Sequence, residues 1–273
     1  MQCPYEGCGN DKSFVFKDGI RYKCTCCRKI YTAKTGTIFE GSKLRLITWF
    51  MGLYLVMHKK GISSVQLAKD LGITQKTAWF MLQRLRTVLG NEEAPLMEGT
   101  VEIDESFVGG KSKFRHRNKR IKYNPGRAYK DKTPVFGMLE RGGKVRAMVV
   151  PNVLMVTIRQ IALENIRTGA SIMGDGFHGY RALEVSYKVR CTDHGKGYYG
   201  DGGELHTNAI ENFWSHMKRS LTAVYIRVTP KHLNKYVQES VFRYNYRNLS
   251  IQQLFDKFIE NFECRLKYKQ LIA

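Results

Sequence analysis

The stretch "TVEIDESFVGG" (residues 100–110) alternates apolar and polar side chains along its length. Such alternation is typical of a β-strand with one buried face. Val101, Ile103 and Phe107 fall on one face of such a strand, and the acids Glu102 and Asp104 fall on the other. We therefore predict a strand that presents carboxylates on the face opposite its apolar one.

The segments that follow predict the rest of the same layer. A hairpin is expected first, with Gly142 and Gly143 as its turn. An amphipathic helix, a short buried strand, another strand and a second helix are then predicted in residues 156–167, 170–180, 189–195 and 203–220. Antiparallel strands followed by alternating helices and strands form a mixed α/β layer, which is compatible with an RNase H-like fold.

The second of these helices, "GELHTNAIENFWSHMKRS" (residues 203–220), carries polar side chains beside an apolar stripe. At about 100° per residue, the apolar stripe comprises Ile210, Phe213, Trp214, Met217 and Leu221. Asn208, Glu211 and Lys218 line one edge of the stripe, where a core-facing surface can open into a cleft. A solvated Glu211–Lys218 pair is the alternative interpretation. For His206, positioning of phosphate or water and a structural hydrogen-bonding role are both open.

Acids fall on separate elements of this layer: Asp104 in the first strand, Asp175 at the end of a buried strand, and Glu211 on the helix. Gly174 and Gly176 flank Asp175 and permit close approach of a ligand. Carboxylate oxygens are the ligands that Mg²⁺ prefers, and a pair of such ions can activate the attacking oxygen and stabilise the leaving oxygen of a phosphodiester. Because grouped carboxylates repel one another without metal, the arrangement predicts a two-metal site.

Other acids in the same segments have different expected roles. Glu102 shares a strand face with Asp104 and can support it. Glu105 is expected to point the other way and to stay out of the metal site. Asp193 is an alternative to Asp175, but it lacks a buried strand before it.

Five of the seven cysteines lie before position 28. In a reducing compartment such clustering favours metal binding over disulfides. Cys3 and Cys8 form a C-x4-C knuckle, Cys24 and Cys27 form a C-x2-C knuckle, and a hairpin-like stretch joins them, as in a tetrahedral zinc ribbon. Cys26 is an alternative to Cys27. The Zn²⁺ is expected to be structural, because so small a module cannot stabilise itself by burial alone.

Residues 61–90 have the spacing of a helix-turn-helix. Ser63 or Ser64 can cap the first helix, Gly72 ends it, and Thr74 can cap the second. The candidate DNA contacts near the start of the second helix are Gln75, Lys76 and Thr77. A plain helical hairpin is the alternative.

The net charge of +21 predicts a polyanionic partner, and we expect double-stranded DNA. A basic loop, residues 111–132, is interpreted as an arm that orders on DNA phosphates, with a merely solvated loop as the alternative. Its candidate contacts are Lys111, Lys113, Arg115, Arg117, Lys119, Arg120, Lys122 and Arg127.

Because the start of the chain has no signal-peptide pattern and the apolar stretch of residues 46–57 is too short to span a bilayer, we expect no membrane partner and a cytoplasmic, nucleoid-associated location.

The chain resembles the transposases of the IS1595 family of bacterial insertion sequences, with their ISXO2-like catalytic domain. The resemblance rests on motifs that occur in order over nearly the whole chain: "CPYEGCG…YKCTCC", "GTIFEGSKLRLITWF", "VEIDESFVGGK", "TPVFGMLER", "GDGFHGY", "HTNAIENFWSHMKR" and "HLNKYVQESVFRYNYR". It implies a DDE-type enzyme with an RNase H-like core, which uses two Mg²⁺ ions, or Mn²⁺, to cut DNA at the ends of the element and to join the 3′-hydroxyls to a target. By motif, Asp104, Asp175 and Glu211 are the implied acids, and Lys218 is the implied phosphate contact.

We therefore predict a zinc ribbon in residues 1–36, a helix-turn-helix domain in residues 37–95 and an RNase H-like catalytic domain in residues 96–273. The expected partners are the terminal inverted repeats and the target DNA. At least a homodimer is expected on DNA, because two ends must be paired. A non-catalytic DNA-binding regulator and an RNase H-like nuclease without strand transfer are the alternatives.

Overall fold

The computed structural model describes residues 2–58, 60–90, 94–109, 116–119, 132–192, 206–263 and 266–272. The chain divides into two compact units, which we call unit 1 (Met1–Glu92 with Asn248–Ala273) and unit 2 (Glu93–Arg247). Residues 248–273, which the sequence analysis assigned to the catalytic domain, thus belong to the same compact unit as the N-terminal residues.

The helices and strands of the described residues are numbered in chain order. The strands are β1 (Ser13–Val15), β2 (Tyr22–Cys24), β3 (Ile30–Tyr31), β4 (Thr100–Gly109), β5 (Lys132–Glu140), β6 (Val145–Val149), β7 (Ser171–Asp175) and β8 (Lys188–Thr192). The α-helices are α1 (Leu46–His58), α2 (Ser64–Leu71), α3 (Gln75–Leu89), α4 (Met155–Asn165), α5 (Asn208–Arg219), α6 (Pro230–Asn245), α7 (Ile251–Glu260) and α8 (Tyr268–Ile272). Short 3₁₀ helices span Arg117–Lys119 and His178–Leu183, and a π-helical segment, Ser220–Val224, continues α5.

In unit 1, the strands form a small antiparallel sheet in the order β1-β2-β3, and α2 and α3 pack against each other. The Ser63 hydroxyl caps α2 by accepting a hydrogen bond from the Gln66 amide. Gly72 ends that helix in the left-handed conformation, with φ of 64°. The Thr74 hydroxyl then accepts from the Thr77 amide and caps α3. These caps account for two helices joined by a short turn.

In unit 2, a five-stranded sheet has the order β6-β5-β4-β7-β8. β4 pairs antiparallel with β5, and β5 pairs antiparallel with β6, whereas β7 is parallel to both β4 and β8. The β5–β6 turn contains Gly142 with a positive φ of 75°, a conformation that glycine adopts readily. The predicted mixed α/β layer is therefore confirmed.

Separate apolar cores cover the two faces of this sheet. One contains Val101, Ile103 and Phe136 and is covered by α4 and the 3₁₀ helix His178–Leu183. The other contains Phe213 and Trp214 and is covered by α5 and α6. Since neighbouring residues of a strand face opposite sides, the carboxylates of β4 that alternate with Ile103 lie on the α5 side. Among the described residues, every helix is too short or too polar to traverse a lipid bilayer.

Candidate active site

Asp104 and Asp175 lie on neighbouring parallel strands at the same level of the sheet. The β4–β7 ladder pairs Glu102 with Met173, so the residues two positions further along each strand come side by side on one face. Oxygens of Asp104, Glu105 and Asp175 lie within 4.8 Å of one another. The structure thus brings two of the three predicted catalytic acids together.

Both oxygens of Asp104 accept hydrogen bonds from neighbouring N–H groups. Oδ1 accepts from the Glu105 amide at 2.8 Å, and Oδ2 accepts from the Trp214 indole Nε1 at 3.0 Å. Burial raises the pKa of the Asp104 carboxyl from 3.8 to about 6, and the negative charges of Asp175 and Glu211 add to this, while the two N–H donors oppose it. A cation placed against these acids would favour the ionised carboxylate.

A glycine makes room for the indole that holds Asp104. Gly137 is the residue of β5 that pairs with Asp104. A Cβ atom at Gly137 would lie 2.5 Å from Cζ2 of Trp214, closer than carbon atoms can approach. Helical periodicity predicts Trp214 only as part of the apolar stripe. An isolated glycine inside a strand is the sequence signal that could have revealed this close approach.

The start of α5 is held by Glu102, the acid expected to support Asp104. Glu102 is fully buried, and its Oε2 accepts hydrogen bonds from the amides of Ala209 at 3.0 Å and Ile210 at 3.1 Å. The Thr207 hydroxyl makes no capping bond at this helix start. A carboxylate of the strand therefore replaces a local cap and complements the positive end of the helix dipole.

Arg141 neutralises this buried carboxylate. Its Nε donates to Oε1 of Glu102 at 2.9 Å, and its Nη2 donates to the backbone oxygen of His206 at 2.6 Å. The His206 ring belongs to the same network, since Nδ1 lies 3.3 Å from Oε1 of Glu102 and 3.2 Å from Nη2 of Arg141. These contacts favour the structural role of His206. Arg141 could not be identified from the sequence, because a residue at a hairpin turn has no periodic pattern that shows its partner.

Glu211 is exposed near the start of α5 and accepts a 3.1 Å hydrogen bond from the Thr207 hydroxyl. Its carboxylate is outside the group of oxygens within 4.8 Å, although its charge contributes to the raised pKa of Asp104. Asn208 and Lys218 are likewise exposed on α5. The structure therefore places the third predicted acid beside the closely spaced pair, on the helix that Glu102 and Trp214 connect to β4.

Glu105, which was expected to point the other way and to stay out of the metal site, lies close to the other acids. Its strand register agrees with the expected direction, since it pairs with Phe136, a residue of the α4-side core. Its carboxylate nevertheless has an oxygen within 4.8 Å of those of Asp104 and Asp175. Alternation fixes the direction in which a side chain leaves the strand, but it does not fix where a long side chain ends.

The acid group suits a hard divalent cation. Carboxylate oxygens are preferred by Mg²⁺ and Mn²⁺, and opposite ligands of one Mg²⁺ are roughly 4.2 Å apart when each bond is about 2.1 Å. The spacing within 4.8 Å is close to that value. Asp104 and Asp175 would therefore hold such an ion after a small movement of their side chains. Asp193, the alternative acid, lies outside the described residues.

In unit 1, four cysteine sulfurs form a second candidate metal centre. The Sγ atoms of Cys3 and Cys27 are 3.6 Å apart, as are those of Cys8 and Cys24. All four Sγ atoms lie within 4.8 Å of one another. Sulfurs around a tetrahedral Zn²⁺ are about 3.8 Å apart when each Zn–S bond is about 2.3 Å. These residues therefore fit Zn²⁺. Cys26, the alternative ligand, is exposed and is not one of the four.

A neighbouring amide tunes one of these thiols. Asn10 Nδ2 lies 3.5 Å from Sγ of Cys24 and, as the largest influence, lowers the pKa of that thiol to about 6. Because metal ligands must be deprotonated, a lowered thiol pKa favours metal binding at neutral pH.

Three of the predicted DNA contacts lie at the start of α3. Gln75 and Lys76 are exposed, with the Gln75 amide donating to the Ser64 hydroxyl at 2.8 Å and Lys76 Nζ lying 5.5 Å from the centre of the Tyr268 ring. Thr77 is engaged at the helix cap, where its hydroxyl lies 2.8 Å from that of Thr74.

In the basic loop, Arg117 is exposed and Lys119 ends the 3₁₀ helix. The other predicted contacts, Lys111, Lys113, Arg115, Arg120, Lys122 and Arg127, lie outside the described residues.

The chain is similar to proteins of transposable elements. An uncharacterized protein in transposable element ISH50 of Halobacterium salinarum is 29% identical over 211 residues, which cover 74% of this chain and 71% of that protein. An uncharacterized transposase-like protein of Haemophilus influenzae is 28% identical over 109 residues, covering 40% of this chain and 87% of that protein.

Among solved structures, the match to a chain of the Mos1 strand transfer complex covers 82% of this chain and 79% of the Mos1 chain, with 12% identity and a TM-score of 0.32. The match to the mariner Mos1 paired end complex with Mg covers 81% of this chain and 79% of that chain, with 11% identity and a TM-score of 0.31. The family model of the ISXO2-like transposase domain matches residues 96–245, which contain every member of the acid group and the whole of α5. The chain therefore belongs to the ISXO2-like transposase domain family.

Proposed function

We propose that the protein is a DDE-type DNA transposase. It binds the terminal inverted repeats of an insertion sequence, cleaves DNA to give 3′-hydroxyl ends and joins these ends to target DNA by transesterification. The observation that carries the proposal is the placement of Asp104 and Asp175 on neighbouring parallel strands, beside an α5 that carries Glu211. The strand order of unit 2, with its antiparallel half and its parallel half, supports an RNase H-like catalytic domain.

The acids act by holding divalent cations against the scissile phosphate. When bound, two Mg²⁺ or Mn²⁺ ions would supply Lewis acidity at the attacking and leaving oxygens. Asp104 would be held in one orientation by its two N–H donors, and Asp175 would face it from β7. Glu211 would approach from α5, where the exposed Asn208 and Lys218 are available to a phosphate. His206 would support this arrangement through its contacts with Glu102 and Arg141 rather than by touching DNA.

Recognition of DNA would fall largely to unit 1 and to the basic loop. The cysteine group would hold a structural Zn²⁺ in a zinc ribbon, and α2 and α3 would form a helix-turn-helix whose Gln75 and Lys76 face the major groove. The charge of +21 would hold the duplex through its phosphates. Pairing of two DNA ends requires at least a dimer. A cytoplasmic, nucleoid-associated location follows from the DNA substrate.

The test uses purified protein, Mg²⁺, a circular target and a labelled duplex that carries an inverted repeat found beside the gene. We expect cleavage at the repeat boundary with a 3′-hydroxyl, followed by joined products. Asp175→Asn should abolish both, whereas Asp256→Asn, at an exposed acid of α7, should leave both unchanged. Binding without cleavage by the unmodified protein would instead indicate a DNA-binding regulator, and cleavage without joining would indicate a nuclease.

A further inference from the structure

We propose that Glu105 is a fourth carboxylate of the metal site, which it reaches from the opposite face of β4, and that the Tyr180 hydroxyl orients it there. This inference rests on the proposed function, and it adds a ligand to the acids that the family resemblance implies. Glu105 would contact the ion bound by Asp104 and Asp175, with Glu211 completing the site from α5.

Glu105 lies close to the end of the β4–β7 ladder. The last residue pair of this ladder is Glu102 with Met173, two positions before Asp104 and Asp175. Among the described residues, no further pair joins these two strands. Glu105 leaves β4 on the side of Phe136, yet a carboxylate oxygen lies within 4.8 Å of those of Asp104 and Asp175.

Tyr180 provides an independent indication that a ligand belongs here. It is only 1% exposed, and its ring occupies the space that a Cβ atom at Gly174 would need, at 2.6 Å. Its hydroxyl oxygen is buried without a hydrogen bond of ordinary length among the described residues. Burial raises the pKa of Tyr180 well above its ordinary value, and the negative charges of Glu105, Asp175 and Asp104 add to this rise. The hydroxyl therefore points into the acid group.

Charge balance favours the same conclusion. Carboxylates within 4.8 Å of one another repel strongly in a partly buried site. A divalent cation between them converts this repulsion into attraction. With Glu105 and Glu211 included, the site offers the negative charge of four carboxylates, which equals the positive charge of two divalent ions.

The alternative is that Glu105 only buttresses Tyr180. A measurement of metal affinity distinguishes a metal ligand from a residue that only supports Tyr180, and it does not require DNA cleavage. We would titrate Mn²⁺ into the full-length protein and follow free Mn²⁺ by electron paramagnetic resonance, with unfolding in urea as a check on folding. The variants are Glu105→Gln, Asp175→Asn and Tyr180→Phe, with Glu164→Gln as the matched control at an exposed glutamate of α4.

We expect Glu105→Gln to weaken Mn²⁺ binding by about tenfold or more, Tyr180→Phe to weaken it less, and Glu164→Gln to leave it unchanged. Glu105→Asp serves if Glu105→Gln does not fold, because it keeps the charge, shortens the reach and should also weaken binding. Unchanged Mn²⁺ affinity in folded Glu105→Gln, beside lost affinity in Asp175→Asn, would overturn the inference and leave the proposed transposase intact. Absence of Mn²⁺ binding by the unmodified protein would overturn both.

Discussion

The indole Nε1 of Trp214 donates a hydrogen bond to Oδ2 of Asp104 across 3.0 Å. The bond connects α5 to β4 on the face of the sheet that carries the candidate acids. Because the Glu105 amide occupies the other oxygen of Asp104, the carboxylate is fixed in orientation before any ion arrives. Trp214 is thus a positioning residue in the proposed reaction, in addition to its place in the apolar core.

Trp214→Phe should slow DNA cleavage by about tenfold or more and raise the Mn²⁺ concentration needed for half-maximal rate. Phenylalanine retains most of the apolar packing but removes the N–H donor. The measurement is the cleavage rate as a function of Mn²⁺ concentration. Trp49→Phe is the matched control, since it removes a 3.1 Å indole bond to the Ser42 hydroxyl in unit 1. Equal metal dependence in the two variants would contradict a positioning role for Trp214.

Gly137→Ala should displace the Trp214 indole, because the new methyl group would lie 2.5 Å from its Cζ2 atom. We expect a loss of about 1–3 kcal/mol in the free energy of unfolding together with loss of cleavage. Urea unfolding of the single variants Gly137→Ala and Trp214→Leu and of the double variant is the measurement. The double variant should lose less stability than the sum of the single losses, because the smaller leucine leaves room for the methyl group. Additive losses would show that the two residues do not compete for this space.

The metal-free protein should lose stability as the pH rises from about 4 to about 6. The pKa of Asp104 is raised from 3.8 to about 6 in the folded protein, so the folded state binds its proton more tightly than the unfolded state. The stabilisation is complete below the unfolded pKa and is lost as the pH rises through the folded one. A shift of about two units corresponds to on the order of 3 kcal/mol.

Urea unfolding in the presence of a chelator measures this dependence. Asp104→Asn, which cannot titrate, should show a flatter profile across the same pH range. An unchanged slope in that variant would assign the pH dependence to another group. Mg²⁺ added to the unmodified protein at pH 7 should restore stability.

Arg141→Met should destabilise unit 2 by about 3 kcal/mol or more, because it leaves the charge of the fully buried Glu102 without its partner. Replacing both residues by methionine should recover part of the loss. Hydrogen exchange at the Ala209 and Ile210 amides should quicken in Glu102→Met, since these amides donate to Glu102. Unchanged exchange at both amides would show that Glu102 does not hold the start of α5.

Cys27→Ser should abolish zinc binding, whereas the matched substitution Cys26→Ser should retain about one Zn²⁺ per chain, as expected for one tetrahedral site. The reason is that Cys27 belongs to the sulfur group and Cys26 does not. Metal analysis of the purified variants is the measurement. Retention of zinc by Cys27→Ser together with its loss from Cys26→Ser would reverse the assignment.

The periodic parts of this structure could be predicted from the sequence. Alternation placed Ile103 on one face of β4 and the carboxylates of Glu102 and Asp104 on the other. Helical periodicity predicted the buried stripe of Ile210, Phe213, Trp214 and Met217. These patterns repeat along one element, so they are visible without knowledge of its neighbours. They establish which side of an element is buried.

The contacts between elements could not be predicted in this way. Glu105 lies close to acids that belong to the opposite face of β4 and to a neighbouring strand. Arg141 contacts Glu102 because a hairpin turn lies beside the start of a helix. The position of residues 248–273 in unit 1 was missed for a related reason, since an amphipathic helix has an apolar face whichever partner covers it. Three-dimensional proximity decides all of these cases.

The two segments that build unit 1 affect the order of folding during synthesis. The Ile38 amide donates to the Phe262 carbonyl at 3.2 Å, and α1 packs against α7. The ribosome must therefore synthesise the whole of unit 2 before it reaches the second segment of unit 1. A chain terminated after Arg247 would retain every strand of the five-stranded sheet but would lack the segment that closes unit 1. Premature termination would thus yield a chain with a complete unit 2 and an unfinished unit 1.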